Sequence, residues 1–384
     1  MSGAGTPQKV DVFCVPCRGP GDLSGVQALV DAGRLDPRSI VAVMGKTEGN
    51  GCVNDFTRDF AATAWCHWLA PYFDCTAEAV HARVALVMSG GTEGVLSPHF
   101  TVFTREPVGS APAHDDKRLV VGIAHTRAFA PEEIGRMSQV NATADAVREA
   151  MRDAGIVDAA DVHFVQVKCP LLTSAKVNAA RRRGAHTATT DSYESMAFSR
   201  GASALGVGLA LQEIDVGAVT DASVLHDTAL YSARASCSAG IELEGNVVIV
   251  LGEATGSASQ LRIAHTVMRD AIDAASVRHL LRDAFGLDAD RDAAVIASLL
   301  VNLLAKAEAA PEGTVRGARH TMLNDSDINA TRHARAAVGG VLASVVGRTS
   351  LYVSGGAEHQ GPPGGGPVAV ILRMDATMRY DGGT

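Results

Sequence analysis

A lysine, an arginine and a serine recur in the same order three times along the chain. Each lysine follows an apolar run, each arginine follows a serine or threonine, and each serine precedes a small residue and then a glycine. The three sets are Lys46, Arg58 and Ser89; Lys168, Arg200 and Ser238; and Lys306, Arg332 and Ser354. A pattern repeated at this scale is typical of a chain built from several copies of one structural unit. The sequence therefore predicts three similar units.

Two stretches rich in turn-forming residues fall between the three sets and are predicted to be linkers. They cover residues 106–117 and 252–260. A chain of 384 residues is expected to hold about two to three domains, which agrees with this division. The predicted repeat units are residues 1–105 (unit A), 117–252 (unit B) and 260–384 (unit C).

Apolar runs of strand length alternate with helical patterns, which favours a mixed α/β fold class. Helices are predicted at residues 132–154, 264–281 and 293–305, and the first of them ends at Gly155, a residue suited to a helix C-cap. Strands are predicted at residues 40–44, 84–88, 119–124, 162–167, 247–251, 350–353 and 368–372.

The composition argues against several classes of partner. A net charge of −8 without a basic stripe argues against nucleic acid. No apolar run reaches the ~18 residues of a membrane-spanning helix, so we expect no membrane partner. The seven cysteines are an odd number without regular spacing, which favours a reducing compartment over a disulfide framework. We therefore expect a cytoplasmic protein.

The repeated residue types suggest a specific chemistry. A serine can act as a nucleophile when a buried, neutral lysine takes its proton. Backbone N–H groups beside such a serine can hold a carbonyl oxygen, and an arginine offers a planar, permanently charged fork to carbonyls or anionic nitrogen heterocycles. Three such sets around one axis predict a pocket of threefold pseudo-symmetry for a small ring with repeating carbonyl and N–H groups. A non-catalytic binder of such a heterocycle is the alternative from another functional class.

The three lysines differ in the acids that lie near them in sequence. Glu48 follows Lys46 by two residues, and Glu308 follows Lys306 by two, so each shares a strand face with its lysine. Lys168 has no acid close by in sequence. Because a nearby carboxylate favours the protonated lysine, we expect Lys168 to be the neutral base.

Other motifs fit known sites poorly. Gly45, Lys46 and Thr47 resemble the end of a phosphate-binding loop, but the glycine that such a loop requires is replaced by Ile40. The glycine-rich segment 354–366 is open to two interpretations. It is either a long ordered turn or a loop whose carbonyls bind a hard cation together with Glu308.

Six longer segments resemble the cyanuric acid hydrolase/barbiturase family of ring-opening cyclic amide hydrolases, more closely its cyanuric acid hydrolase branch. They cover nearly the whole chain: 41–55 (VAVMGKTEGNGCVND), 87–99 (VMSGGTEGVLSPH), 163–173 (HFVQVKCPLLT), 199–206 (SRGASALG), 320–329 (HTMLNDSDIN) and 352–362 (YVSGGAEHQGP). The resemblance implies three similar α/β repeat units around a pseudo-threefold axis, with the active site at the centre. It also implies hydrolytic opening of cyanuric acid to carboxybiuret, which decarboxylates to biuret, with barbiturase activity as the alternative.

The resemblance also assigns roles to residues. It implies that Ser238 is the nucleophile and Lys168 its base, with Lys46 and Lys306 as the lysines of two further pairs. The implied substrate-binding residues are Arg58, Ser89, Gly90, Arg200, Ser238, Ala239, Arg332, Ser354 and Gly355. No organic cofactor is implied, but a structural divalent cation, Mg²⁺ or Ca²⁺, is expected on Glu308, Ala357, Gln360, Gly361, Pro362 and Gly365. The implied assembly is a homotetramer.

Overall fold

The computed structural model describes residues 7–109 and 116–374, which form a mixed α/β fold. Its strands are β1 (Gln8–Pro16), β2 (Ile40–Thr47), β3 (Ala85–Gly90), β4 (His99–Pro107), β5 (Arg118–His125), β6 (Val162–Pro170), β7 (Ala235–Gly240), β8 (Val247–Ala254), β9 (Leu261–Met268), β10 (Leu300–Ala307), β11 (Thr314–Val315), β12 (Ala318–Arg319), β13 (Tyr352–Gly355) and β14 (Gly366–Arg373). Its α-helices are α1 (Ser24–Asp31), α2 (Phe56–Phe73), α3 (Met137–Ala154), α4 (Ser174–Arg182), α5 (Ser192–Ala210), α6 (Ala274–Phe285), α7 (Ala293–Leu299) and α8 (Ala330–Val346).

Three four-stranded sheets share one strand order. Sheet A is β1-β4-β2-β3, sheet B is β5-β8-β6-β7 and sheet C is β9-β14-β10-β13. In every sheet the third strand of this order pairs antiparallel with the second and parallel with the last. That third strand also carries a register irregularity at its second residue, which is Val41, His163 or Val301. The three sheets are therefore equivalent in topology and in a detail of their pairing.

The helices make the crossovers that parallel strands require. Helix α2 leads into the parallel edge strand β3, α5 into β7 and α8 into β13. These three helices carry the predicted arginines. Each of them begins at a side chain that accepts a backbone N–H bond of the first turn: Asp55, Asp191 and Asn329. Such caps satisfy N–H groups that otherwise have no partner within the helix. Helix α3 ends at Gly155 with a φ of 73°, as predicted.

The hydrophobic core has a shared inner part and three outer parts. Apolar side chains from all three sheets meet in one cluster, which includes Val12 and Phe103 of sheet A, Ile249 of sheet B, and Ile263 and Ile371 of sheet C. Separate clusters lie between each sheet and its helices. Because successive side chains of a strand point to opposite faces, each sheet packs on the other two with one face and on helices with the other.

Two of the predicted helices were wrong. Residues 264–281 contain most of strand β9 and then the start of α6, and residues 293–305 contain the short helix α7 followed by strand β10. Every residue of β10 is buried, so its apolar run lacks the alternation that identifies a half-exposed strand. Lys306 therefore lies on a strand.

The linkers are shorter than predicted, because β4 extends to Pro107 and β8 to Ala254. Residues 110–115 of the first linker lie outside the described residues, as do residues 1–6 and 375–384 of the predicted units. In the described ranges, every helix is too short or too polar to cross a membrane.

Candidate active site

The three lysine–serine pairs occupy the same position in the three sheets. Each lysine lies near the end of the third strand of its sheet, which is β2, β6 or β10. Each serine lies directly opposite on the parallel edge strand, which is β3, β7 or β13. The paired residues are Lys46 and Ser89, Lys168 and Ser238, and Lys306 and Ser354. Residues opposite each other on neighbouring strands point to the same face. Each sheet therefore places an amine beside a hydroxyl.

The three serines meet one another. The Oγ atom of Ser354 lies 3.2 Å from that of Ser89 and 3.1 Å from that of Ser238. All three serines are buried. The fold thus brings together three hydroxyls that are far apart in the sequence, one from each sheet.

Burial lowers the pKa of all three lysines, because desolvation disfavours the ammonium form. The pKa of Lys306 falls to about 7 and that of Lys46 lies well below its usual value. Lys46 Nζ donates to Ser89 Oγ at 3.3 Å, and Lys306 Nζ donates to Ser354 Oγ at 3.4 Å. Lys168 Nζ instead donates to the Met88 carbonyl oxygen at 2.8 Å. Burial therefore acts in the same direction on all three lysines, towards the neutral amine.

The argument that singled out Lys168 as the neutral base, from the lack of an acid close by in sequence, was wrong. Its Nζ lies 3.1 Å from Oε1 of Glu242, whose charge opposes the lowering of the Lys168 pKa by burial. Glu48 and Glu308, which we expected to favour the protonated form of the other two lysines, are not among the main causes of the pKa shifts of those lysines. Distance in space rather than in sequence decides which acid acts on a lysine.

Each predicted arginine contacts a residue that lies on, or soon after, the parallel edge strand of another sheet. Arg58 Nη1 donates to the Ala239 carbonyl oxygen at 3.1 Å. Arg200 forms a two-bond ion pair with Glu358, at 2.7 and 2.6 Å. Arg332 Nε donates to Glu93 at 3.3 Å. These contacts link the helix beside sheet A to sheet B, the helix beside sheet B to sheet C, and the helix beside sheet C to sheet A.

Four charged residues at this site were not predicted from the sequence. A glutamate follows each serine by four positions, giving Ser-x-Gly-x-Glu at Glu93, Glu242 and Glu358. Arg335, one helical turn beyond Arg332, is buried and forms a two-bond ion pair with Glu93 at 2.7 and 2.6 Å. The repeated spacing was a signal that could have identified the glutamates.

The small residues after the serines differ in how much room they have. A Cβ atom on Gly90 would collide with the Asp55 carboxylate, and one on Gly355 would collide with Thr331 Cγ2. The equivalent residue in sheet B is Ala239, whose side chain is accommodated and buried. A larger residue at either glycine would therefore require its neighbours to shift.

Three of the predicted cation ligands line the same cavity. Glu308, Ala357 and Gly361 line one cavity of about 230 Å³. Burial, and then the charge of Glu358, raise the pKa of Glu308 to about 7. The side chain of Gln360 points elsewhere, because its Oε1 accepts the backbone N–H of Cys237 at 2.6 Å. Of the predicted ligand set, Gln360 could therefore contribute only its backbone carbonyl.

That carbonyl-rich set is compatible with a hard cation. The Ala357 carbonyl accepts one bond from Gln360 and the Pro362 carbonyl one bond from Gly365, which leaves each oxygen a second lone pair. Within residues 7–109 and 116–374, groups of three or more His, Cys, Asp or Glu side chains suited to a metal do not occur. A cation here would depend on one carboxylate and backbone oxygens, which suits Mg²⁺ or Ca²⁺.

Comparison with known proteins assigns the chain to a family. The family model described as "Amidohydrolase ring-opening protein" matches residues 11–373. The chain belongs to this amidohydrolase family. A family member named cyanuric acid amidohydrolase from Pseudomonas sp. (strain ADP) is 58% identical over 364 residues, which cover 95% of this chain and 99% of the relative.

Further members of the ring-opening amidohydrolase family are also similar to this chain. A cyanuric acid amidohydrolase from Bradyrhizobium diazoefficiens is 59% identical over 366 residues, 95% of this chain and 98% of the relative. A solved structure described as a cyanuric acid hydrolase superposes with a TM-score of 0.91 at 58% identity, covering 96% of this chain and all of that one. The structure of a relative from A. caulinodans gives a TM-score of 0.87 at 51% identity, covering 96% and 99%. These matches confirm the mixed α/β fold and the family resemblance.

Proposed function

We propose that this protein hydrolyses cyanuric acid to carboxybiuret, which loses carbon dioxide to give biuret. The observation that carries the proposal is the convergence of three lysine–serine pairs, each at the same register of an equivalent sheet. A ring with three equivalent carbonyls matches a site in which three serines meet. The names of the relatives, identical at more than half of the aligned positions, support the same substrate.

In this proposal Ser238 attacks a ring carbonyl and Lys168 takes the serine proton. Burial of Lys168 supports the role of a base, since it lowers the pKa of the ammonium. Lys168 then returns the proton to the ring nitrogen as the carbon–nitrogen bond breaks. Water hydrolyses the resulting acyl-enzyme and releases the opened ring.

The remaining predicted residues would hold the ring. The pairs Ser89/Gly90, Ser238/Ala239 and Ser354/Gly355 would donate hydrogen bonds to its carbonyls, and Lys46 and Lys306 would complete the two non-catalytic sets. Arg58, Arg200 and Arg332 would contact its edges. Arg332 is the best placed of these arginines, because its side chain is 41% exposed and makes one contact of 3.3 Å with Glu93. Donors of its guanidinium can therefore reach a ligand.

The proposed architecture is three repeat units, residues 1–105, 117–252 and 260–384, around a pseudo-threefold axis through the serines. It is supported by the common strand order, the common irregularity and the cyclic arginine contacts. A divalent cation on Glu308 and the loop from Ala357 to Gly365 would neutralise a buried carboxylate and rigidify that loop. From the family resemblance we further propose a cytoplasmic homotetramer without an organic cofactor.

The experiment is to incubate the purified protein with cyanuric acid and measure biuret and carbon dioxide. Barbituric acid is supplied in a parallel reaction. We expect biuret from cyanuric acid and little opening of barbituric acid. Preferential opening of barbituric acid would establish the barbiturase alternative, and binding of either ring without turnover would establish a non-catalytic heterocycle-binding protein.

A further inference from the structure

Glu242 differs from the two other glutamates that follow the central serines. Glu93 and Glu358 each form a two-bond ion pair with an arginine of another unit. Glu242 instead lies 3.1 Å from Nζ of Lys168, the lysine that faces Ser238 across the sheet. In the described part of the chain, this is the one lysine–serine set in which a carboxylate contacts the lysine.

The surroundings of Glu242 keep it ionised. Although burial opposes ionisation, the charges of Lys168 and then Arg58 lower the pKa of Glu242 to about 2. Arg58 is held nearby through its bond to the Ala239 carbonyl. The Nε atom of Arg58 is buried and has no hydrogen-bond partner among the described residues. A carboxylate that favours its ionised form thus lies beside the lysine, and Arg58 also acts on it.

We propose that Glu242 is a positioning residue that completes a Ser238–Lys168–Glu242 triad. This inference rests on the proposed function. As Ser238 Oγ forms its bond to the ring carbon, the carbonyl π electrons move to oxygen and the serine proton moves to neutral Lys168. The new ammonium then donates to the Glu242 carboxylate, which stays ionised throughout. When the ring carbon–nitrogen bond breaks, Lys168 gives the same proton to the nitrogen.

This contact distinguishes the Lys168 set from the two others. All three lysines are buried and all three serines converge, so burial alone selects none of them. A fixed carboxylate orients the amine of Lys168 and stabilises the ammonium that forms during attack, as the third group of a catalytic triad does. The triad therefore explains how chemistry could be confined to Ser238.

The first test compares Glu242→Gln with the matched variant Glu93→Gln. We expect Glu242→Gln to lower kcat by about 10²-fold or more, the range of positioned proton transfer, with a smaller change in KM. Glu93→Gln removes the carboxylate that contacts Arg332, a proposed substrate-binding residue, so its larger effect should fall on KM. Glu242→Asp should recover part of kcat because it keeps the charge. If Glu242→Gln does not fold, Glu242→Asp takes its place in the comparison with Glu93→Gln.

The second readout is the protonation of Lys168. The charged groups that act on it are Glu242, from the turn after β7, and Arg58 from α2, and the titratable thiol of Cys169 lies next to it on its own strand. Removing the Glu242 charge should lower the pKa of Lys168. The acid limb of the kcat/KM profile, where Lys168 becomes protonated, should therefore move to lower pH in Glu242→Gln and stay in place in Glu93→Gln.

Isotope-detected NMR of ¹³C-lysine-labelled protein follows the same titration without turnover, with Lys168→Arg used to assign the signal. Failure of the wild-type protein to open cyanuric acid would overturn the proposed function, whereas the NMR titration would still decide whether Glu242 acts on Lys168. An unshifted Lys168 titration in Glu242→Gln, or equal losses of kcat in the Glu242→Gln and Glu93→Gln variants, would overturn the triad.

Discussion

Arg332 and Arg335 lie one helical turn apart on α8 and both contact Glu93, yet the structure predicts opposite consequences for their loss. The Arg335 side chain is 4% exposed and makes two bonds to Glu93 at 2.7 and 2.6 Å. Its removal leaves a largely buried carboxylate without its main partner. Breaking a buried ion pair from one side costs about 3–5 kcal/mol of folding free energy. We expect a loss in that range for Arg335→Ala.

Arg332→Ala is the matched control for stability. Its side chain is 41% exposed and has a single contact of 3.3 Å with Glu93, so its removal should cost less than about 1 kcal/mol. The same variant should lower kcat/KM by at least about tenfold, since one charge-assisted hydrogen bond to the ring is worth about 1.4 kcal/mol or more. Arg332→Ala should thus impair catalysis with little loss of folding free energy.

The assays are urea unfolding followed by circular dichroism, and steady-state kinetics with cyanuric acid. Adding Glu93→Gln to each arginine variant completes two double-mutant cycles. The coupling energy between Arg335 and Glu93 should exceed that between Arg332 and Glu93. Equal losses of stability in the two arginine variants, or no coupling between Arg335 and Glu93, would refute the assignment of the buried ion pair as the stabilising one.

Three further predictions concern the nucleophile, the cation and the serine motifs. Ser238→Ala and Lys168→Ala should each reduce kcat by several orders of magnitude, and the double variant should be little worse in the same assay, because nucleophile and base act as one unit. Additive losses would contradict a shared step. Chelation with EDTA should lower the Tm measured by calorimetry more than it weakens substrate binding, whereas metal analysis showing no divalent cation in active protein would exclude the site at Glu308. Gly90→Ala should reduce folding yield and activity, because its Cβ would collide with the Asp55 carboxylate; wild-type behaviour would show that this contact relaxes easily.

Contacts between charged residues were harder to predict from the sequence than the positions of the repeated lysines and serines. The order of lysine, arginine and serine in each set predicts that they belong together, and the parallel register places each lysine opposite its serine. The Glu242 contact was not predicted, because only acids two residues from a lysine on the same strand were expected to act on it. A parallel neighbour strand brings Lys168 close to a carboxylate that is remote in sequence.

Arg335 was missed for a different reason. Residues three apart on a helix share a face, so Arg332 and Arg335 could both have been expected near the same acid. Of the two, the repeated pattern of an arginine after a hydroxyl residue includes Arg332 alone. The strand that carries Lys306 was mistaken for part of a helix because residues of β10 are buried on both faces, and periodicity cannot separate such a strand from a buried helix.

The most direct test of the central claim is to identify the serine that becomes acylated. The protein is mixed with cyanuric acid, quenched in acid within the first turnover, digested and analysed by mass spectrometry. The account predicts a mass increase of one substrate molecule on the peptide that contains Ser238, and none when Ser238 is replaced by alanine. An adduct on the peptide of Ser89 or Ser354, with Ser238 unmodified in active enzyme, would contradict it.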